Sequence, residues 1–196
     1  MMGVKPIQAV HQHQVSSYLK NLNIQSNAAL EIDSLRYQAL INHKLSDTCK
    51  YDSKDWYIQN HLQPTQAMYF NMHTKSAVAA YFNCIAESRN LTNLTYNKFK
   101  ELEFFPPLTY SDPRWIDSLF RVEEILNTIN DMQTGQPYKT DHFRTKYLVL
   151  IFYSLAIQKQ STNLIREAQY HIQNCIKDSS TLIYVNIDNY LYSQSR

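Results

Sequence analysis

Two glycines in 196 residues, Gly3 and Gly135, constrain this chain more than any other feature. Loops that cradle phosphate need glycine where the backbone approaches a ligand closely or takes a positive φ. No GxGxxG, Walker A or GxSxG pattern can be written with two widely separated glycines, which excludes the usual Rossmann, P-loop and α/β-hydrolase enzymes. Few glycines and six prolines also argue against a turn-rich all-β fold.

The chain can build a core. Hydrophobic residues make up 44%, with 15 Tyr among the aromatics, so a disordered chain is not expected. Charged residues are 18% and the net charge is +2, which leaves a polar, amide-rich surface with no basic stripe for nucleic acid. The three cysteines, Cys49, Cys84 and Cys175, are widely spaced and include no CxxC. Reduced thiols in a reducing, cytoplasmic compartment are expected, with no structural zinc and no disulfide framework. The first residues, MMGVKPIQAVHQHQ, lack an apolar secretory core, and the most apolar run, 147–157, is too short to span a bilayer.

Helical spacing dominates the reading. Asp112 as cap, Pro113 at the first position and Gly135 beyond the end frame a helix over 113–132, with Ile116, Leu119, Val122, Leu126, Ile129 and Met132 as its apolar stripe. Further helices are predicted over 7–21, 27–46, 53–62, 64–87, 95–103 and 162–178. Residues 142–159 are apolar nearly all round and predict a central buried helix. Residues 182–192 suit a strand through Ile183, Val185 and Ile187, or a helix through Ile183, Ile187 and Tyr190; helix is favoured because no partner strand is evident. The expected fold is therefore all-α, an irregular bundle of about six to eight helices in a single domain over 1–196. Sub-boundaries are conceivable at 106–112 or 133–141. The segment YSLAIQKQSTNLIREAQYHIQNCIKDS resembles one tetratricopeptide-type helix pair, with Ala156 and Ala168 at close-packing positions, which implies a helix hairpin at the C-terminal end.

Arg166 and His171, with four residues between them, look like the active-site motif of HEPN-type ribonucleases. That resemblance implies a metal-independent cleavage in which His171 acts on the 2′-OH or the leaving oxygen and Arg166 stabilises phosphate charge. Arg36 and His43 form a second match. Random placement of the chain's Arg and His yields roughly 0.7 such matches, so an exposed Arg beside a half-buried His is the alternative reading. His171 and Cys175 can share a helix face, but nothing nearby completes a metal or nucleophile site, and the alternative is a core-facing thiol. His11 and His13 lie two apart and point to different helix faces. Asp141 reads as a helix cap, and Glu123 and Glu124 are adjacent rather than facing.

The densest aromatic cluster contains Phe104, Phe105, Tyr110 and Trp115. It reads as a binding patch, or alternatively as a plug between helices. Without a loop, triad or metal signature, the expectation is a non-enzymatic helical interaction module: an adaptor, inhibitor or complex subunit with another protein as partner and no cofactor, metal or membrane. The ribonuclease with Arg166 and His171 is one alternative. A nucleic-acid-binding subunit contacting RNA or DNA is the other.

Overall fold

The run Tyr147–Tyr153, YLVLIFY, has every side chain buried, yet it is a strand and not the central helix expected over 142–159. In the computed structural model, which describes residues 5–25, 29–47, 64–82, 95–97, 102, 120–138, 143–174, 176 and 178–196, this strand is the middle one of a seven-stranded mixed sheet. A strand covered on both faces reads as a continuous apolar run, and periodicity cannot separate that from a buried helix. Leu148, Leu150 and Phe152 enter one core, while Tyr147, Val149, Ile151 and Tyr153 enter the other, following the two-residue period of a strand.

In chain order the elements are α1 (Gln12–Asn21), β1 (Leu30–Ile32), α2 (Ser34–Asp47), β2 (Gln66–Asn71), β3 (Ser76–Phe82), β4 (Thr95–Asn97), α3 (Val122–Leu126), β5 (Ile129–Asp131), β6 (Tyr147–Tyr153), α4 (Gln158–Asn174), β7 (Ser180–Asn186) and α5 (Asp188–Gln194). The strands lie in the order β4-β3-β2-β6-β7-β1-β5. β6, β7 and β1 are parallel neighbours, and the other pairings are antiparallel. The all-α bundle is thus replaced by an α/β fold with helices on both faces of the sheet.

The corrections have local causes. Residues 64–87 include β2 and β3, whose apolar residues Ala67, Met68, Tyr69, Phe70, Ala77, Val78, Ala79 and Ala80 are buried on both faces of the sheet. The pairing shifts between Tyr69 and Phe70, so Val78 is the extra residue of a bulge. That shift puts Val78 and Ala79 in one core while Ala77 and Ala80 enter the other. The β2–β3 turn uses no glycine. The Asn71 side chain accepts from the His73 and Thr74 N–H groups at 2.9 and 3.4 Å, and Lys75 takes the positive φ of 59°. Residues 95–97 are strand rather than the start of a helix.

Within 113–132, the described part holds the short α3 and then β5, and Gly135 sits in the turn after β5 at φ +66° rather than capping a helix. The helix expected over 53–62 lies outside the described residues. The helices expected over 7–21 and 27–46 are present as the shorter α1 and α2, with β1 ahead of the latter. Among the described residues the supposed helix hairpin over 153–179 holds a single helix, α4, which crosses over from β6 to β7. Residues 182–192 divide at Ile187 into the end of β7 and most of α5. The partner strand the sequence left unseen is β6 itself.

One face of the sheet is covered by α1 and α4 through Val15, Tyr18, Leu19, Leu164, Ile165 and Ala168. The other is covered by α2, α3 and α5 through Tyr37, Ile41, Val122, Ile125, Leu126, Tyr190 and Leu191. Tyr37 meets the Tyr190 ring edge-on at 4.9 Å, and the Tyr190 hydroxyl donates to Gln38 Oε1 at 3.1 Å, which ties α2 to α5. Among the described residues no helix is long and apolar enough to cross a membrane.

Candidate functional site

β6 and β7 run in register from Tyr147/Ser180 to Tyr153/Asn186, so their carboxyl ends lie side by side. From there the chain leaves β6 toward α4 on one face and leaves β7 toward α5 on the other. Connections that diverge at neighbouring parallel strands open a crevice, and in open α/β sheets ligands bind there.

The crevice is built on a buried polar cluster. Backbone groups leaving the ladder must find new partners, and the Asp188 carboxylate supplies them. It accepts from the Ser154 hydroxyl, from the Leu155 N–H at 2.7 Å, from Asn186 Nδ2 at 2.7 Å and, at greater length, from the Ala156 N–H at 3.4 Å. Asn186 Oδ1 in turn accepts from the Asp188 N–H at 3.0 Å. Ser161, in the first turn of α4, donates its hydroxyl to the Ser154 carbonyl at 2.7 Å and accepts from the Ser154 N–H at 3.0 Å. Ser154, Ser161, Asn186 and Asp188 are all buried. A carboxylate holding this many donors ties the ends of β6 and β7 into one corner.

Above this cluster lies a cleft of about 230 Å³. One wall is the N-terminal segment, with Lys5, Pro6, Gln8 and Val10. A second is α1, with Gln14, Ser17, Tyr18 and Asn21. The floor is Leu155, Ala156, Gln158 and Asp188. The Tyr18 hydroxyl pairs with Thr162 Oγ1 at 3.0 Å, and its ring stacks on Tyr153 at 5.4 Å. Burial pushes the Tyr18 hydroxyl above its ordinary pKa, with the Thr162 bond and the Arg166 charge opposing. Burial, with Tyr18 and Asp188 nearby, pushes Tyr153 well above its ordinary value. Both phenols are therefore neutral at physiological pH: Tyr18 is hydrogen-bonded to Thr162, whereas the buried Tyr153 hydroxyl has no hydrogen-bond partner among the described residues.

The residues singled out in the sequence fall elsewhere. Arg166 is exposed on α4, whereas His171 is 2% exposed and lies edge-on to Tyr69 at 5.4 Å. Five positions on a helix turn the two side chains about 140° apart, so they do not share a surface. The Arg36 guanidinium is held by Asp33 at 3.0 Å, by the Asn127 carbonyl at 2.7 Å and by Asn130 Oδ1, a role in fastening α2 to β5, while His43 is exposed further along α2. His11 is the extended N-cap of α1 rather than part of the helix, so its ring and that of His13 stack at 5.9 Å instead of pointing to different faces. Glu124 pairs with Lys44 at 2.9 Å and accepts from the Arg121 N–H. Among the described residues no group of three or more His, Cys, Asp or Glu is placed to hold a metal. Phe104, Phe105, Tyr110 and Trp115 lie outside the described residues, as do Cys49, Cys84, Cys175, Asp141 and His142.

Sequence reading missed Ser154, Asn186, Asp188 and Tyr18. The available signal was polar residues closing two apolar runs: Ser154 after YLVLIFY, and Asn186 and Asp188 around the end of LIYVNID. No protein-family model, curated protein or solved structure matches the chain.

Proposed function

We propose that the chain is a non-enzymatic interaction module, in α/β rather than helical form, and that it takes a peptide segment of another protein into the cleft at the ends of β6 and β7. The cleft's size and lining carry this reading. At about 230 Å³ it is smaller than the roughly 300–1,000 Å³ of typical cofactor and small-molecule pockets. It suits one or two side chains, the kind of anchor pocket on which protein interfaces depend. Val10, Leu155, Ala156 and the Tyr18 ring supply apolar surface. Gln8, Gln14, Asn21, Gln158 and Ser17 supply amides and a hydroxyl that both donate and accept, matching the uncharged N–H and C=O groups of a peptide backbone. The wide cysteine spacing supports a reducing compartment such as the cytoplasm.

A displayed peptide library panned on the wild type and on Ser17→Trp tests the reading, because the indole would fill the cleft from its α1 wall. Peptides enriched by the wild type and lost with S17W are expected. Enrichment indifferent to S17W, or none, would refute the cleft as a peptide site. Tight binding of single-stranded RNA at low salt, or its cleavage, would replace the protein partner with nucleic acid.

A further inference from the structure

The wall of the cleft formed by the N-terminal segment is fastened differently from the rest of the fold. Residues 5–9 are all exposed, and of residues 5–10 only Val10 is buried. Among the described residues the backbone of this segment is held at its two ends. The Lys5 N–H donates to the Ala156 carbonyl at 2.8 Å, and Lys5 Nζ reaches Gln158 Oε1 at 3.3 Å. At the other end a single side chain, Asn189, grips both backbone groups of Val10. Asn189 Oδ1 accepts from the Val10 N–H at 2.8 Å and Nδ2 donates to the Val10 carbonyl at 3.1 Å. Glu31 Oε2 accepts from the same Nδ2 at 2.6 Å, which fixes the amide's orientation. An amide clip of this kind imitates a strand pairing without a strand's length. Because so little apolar surface and so few backbone bonds fasten the segment, its release does not require the sheet to open.

We infer that residues 5–10 form a latch that detaches as a unit and gates the cleft, with Asn189 as the catch and Glu31 as the residue that positions it. Closed, the segment roofs the ends of β6 and β7 and leaves the small cleft. Released, it uncovers Leu155, Ala156 and the corner above Asp188 to an incoming chain. The latch rests on the peptide-binding reading for its purpose but not for its motion, so the two fail separately.

The test combines amide hydrogen exchange with thiol labelling. Exchange is followed at Lys5, Val10 and the β6 amides in the wild type, Asn189→Ala and Glu31→Ala. Labelling by a maleimide is followed at an A156C thiol, in a chain whose Cys49, Cys84 and Cys175 are changed to Ser; Ala156 is 7% exposed behind the latch. In the wild type, Val10 is expected to exchange well ahead of Leu150. Either variant should speed exchange at Lys5 and Val10 about tenfold, leave β6 unchanged, and speed labelling at position 156 by a similar factor. Val10 exchanging only at the rate of Leu150, or unaltered by both variants, would overturn the latch. Faster exchange without faster labelling would overturn its gating role. Loss of S17W-sensitive peptide binding alone would remove the ligand class and leave the latch decided by labelling.

Discussion

Replacing Asp188 with alanine removes one acceptor shared by the Ser154 hydroxyl, the Leu155 N–H and Asn186 Nδ2, with the Ala156 N–H as a longer fourth donor. Each buried donor left without a partner costs about 1–3 kcal/mol. Against this stands the desolvation of a carboxylate that is only 1% exposed, which the substitution relieves. Three stranded donors at that cost, less the desolvation relieved, come to about 3–5 kcal/mol of destabilisation. Ser154→Ala should cost less, about 1–2 kcal/mol, because it removes one donor to the carboxylate, and the Ala156 N–H that loses Ser154 Oγ at 3.1 Å keeps its longer bond to Asp188. In urea, with a slope of about 2 kcal/mol per molar, D188A would lower the unfolding midpoint by about 2 M. The double variant should fall short of the sum, because both changes break the same bond. A midpoint shift under about 0.5 M for D188A, or strict additivity with S154A, would refute the claim that Asp188 holds the corner together.

Two pH dependences follow from the same interior. Burial, reinforced by Tyr190, raises Tyr37 above its unfolded pKa of 10.0, and burial likewise raises Tyr153, so their contribution is intact below pH 10 and is lost as pH rises from there toward the folded values. At about 1.4 kcal/mol per pH unit, Tyr37 alone should remove about 2 kcal/mol by about pH 11.5, with Tyr153 acting in the same direction, read as tyrosinate absorbance appearing together with loss of helix and sheet signal; tyrosinate formed without unfolding would contradict it. Burial alone would raise Asp33, but its bonds from Arg36 and Asn130 and the Arg36 charge hold it below its ordinary 3.8. Its contribution is therefore present above pH 3.8 and fades as pH falls through the lower folded value. Arg36→Met should flatten that part of the acid unfolding curve, and superimposable curves for the two proteins would count against the pairing.

The amphipathic helices were readable where one face alone is buried. α4 carries Leu164, Ile165, Ala168 and His171 toward the sheet and Arg166, Glu167 and Tyr170 toward solvent, a pattern that overlaps the helix expected over 162–178. The strands were not readable for the opposite reason. β2, β3 and β6 are covered on both sides, so their alternation is invisible, and the alanines of β3 add helix propensity to a segment that pairs as a strand. The scarcity of glycine also misled. It is sound evidence against glycine-built phosphate loops. It is no evidence against a sheet whose hairpin turn uses Asn71 and Lys75 and whose parallel strands are joined by a helix. The cleft was beyond sequence reading because its parts come from residues 5–21, 155–158 and 188, which meet only when β6 and β7 end together.

Composition and local pattern therefore determined that this chain has a core, lacks the glycine-rich phosphate loops, and carries helices such as α1, α2 and α4. Only the tertiary structure decided that the most apolar segment is the central strand, that Arg166 and His171 face different surroundings, and that Asp188 closes the corner beneath a cleft. Periodicity reports burial on one face of an element. Which elements bury both faces, and which distant residues share an end of the sheet, is set by strand pairing between segments far apart in the chain.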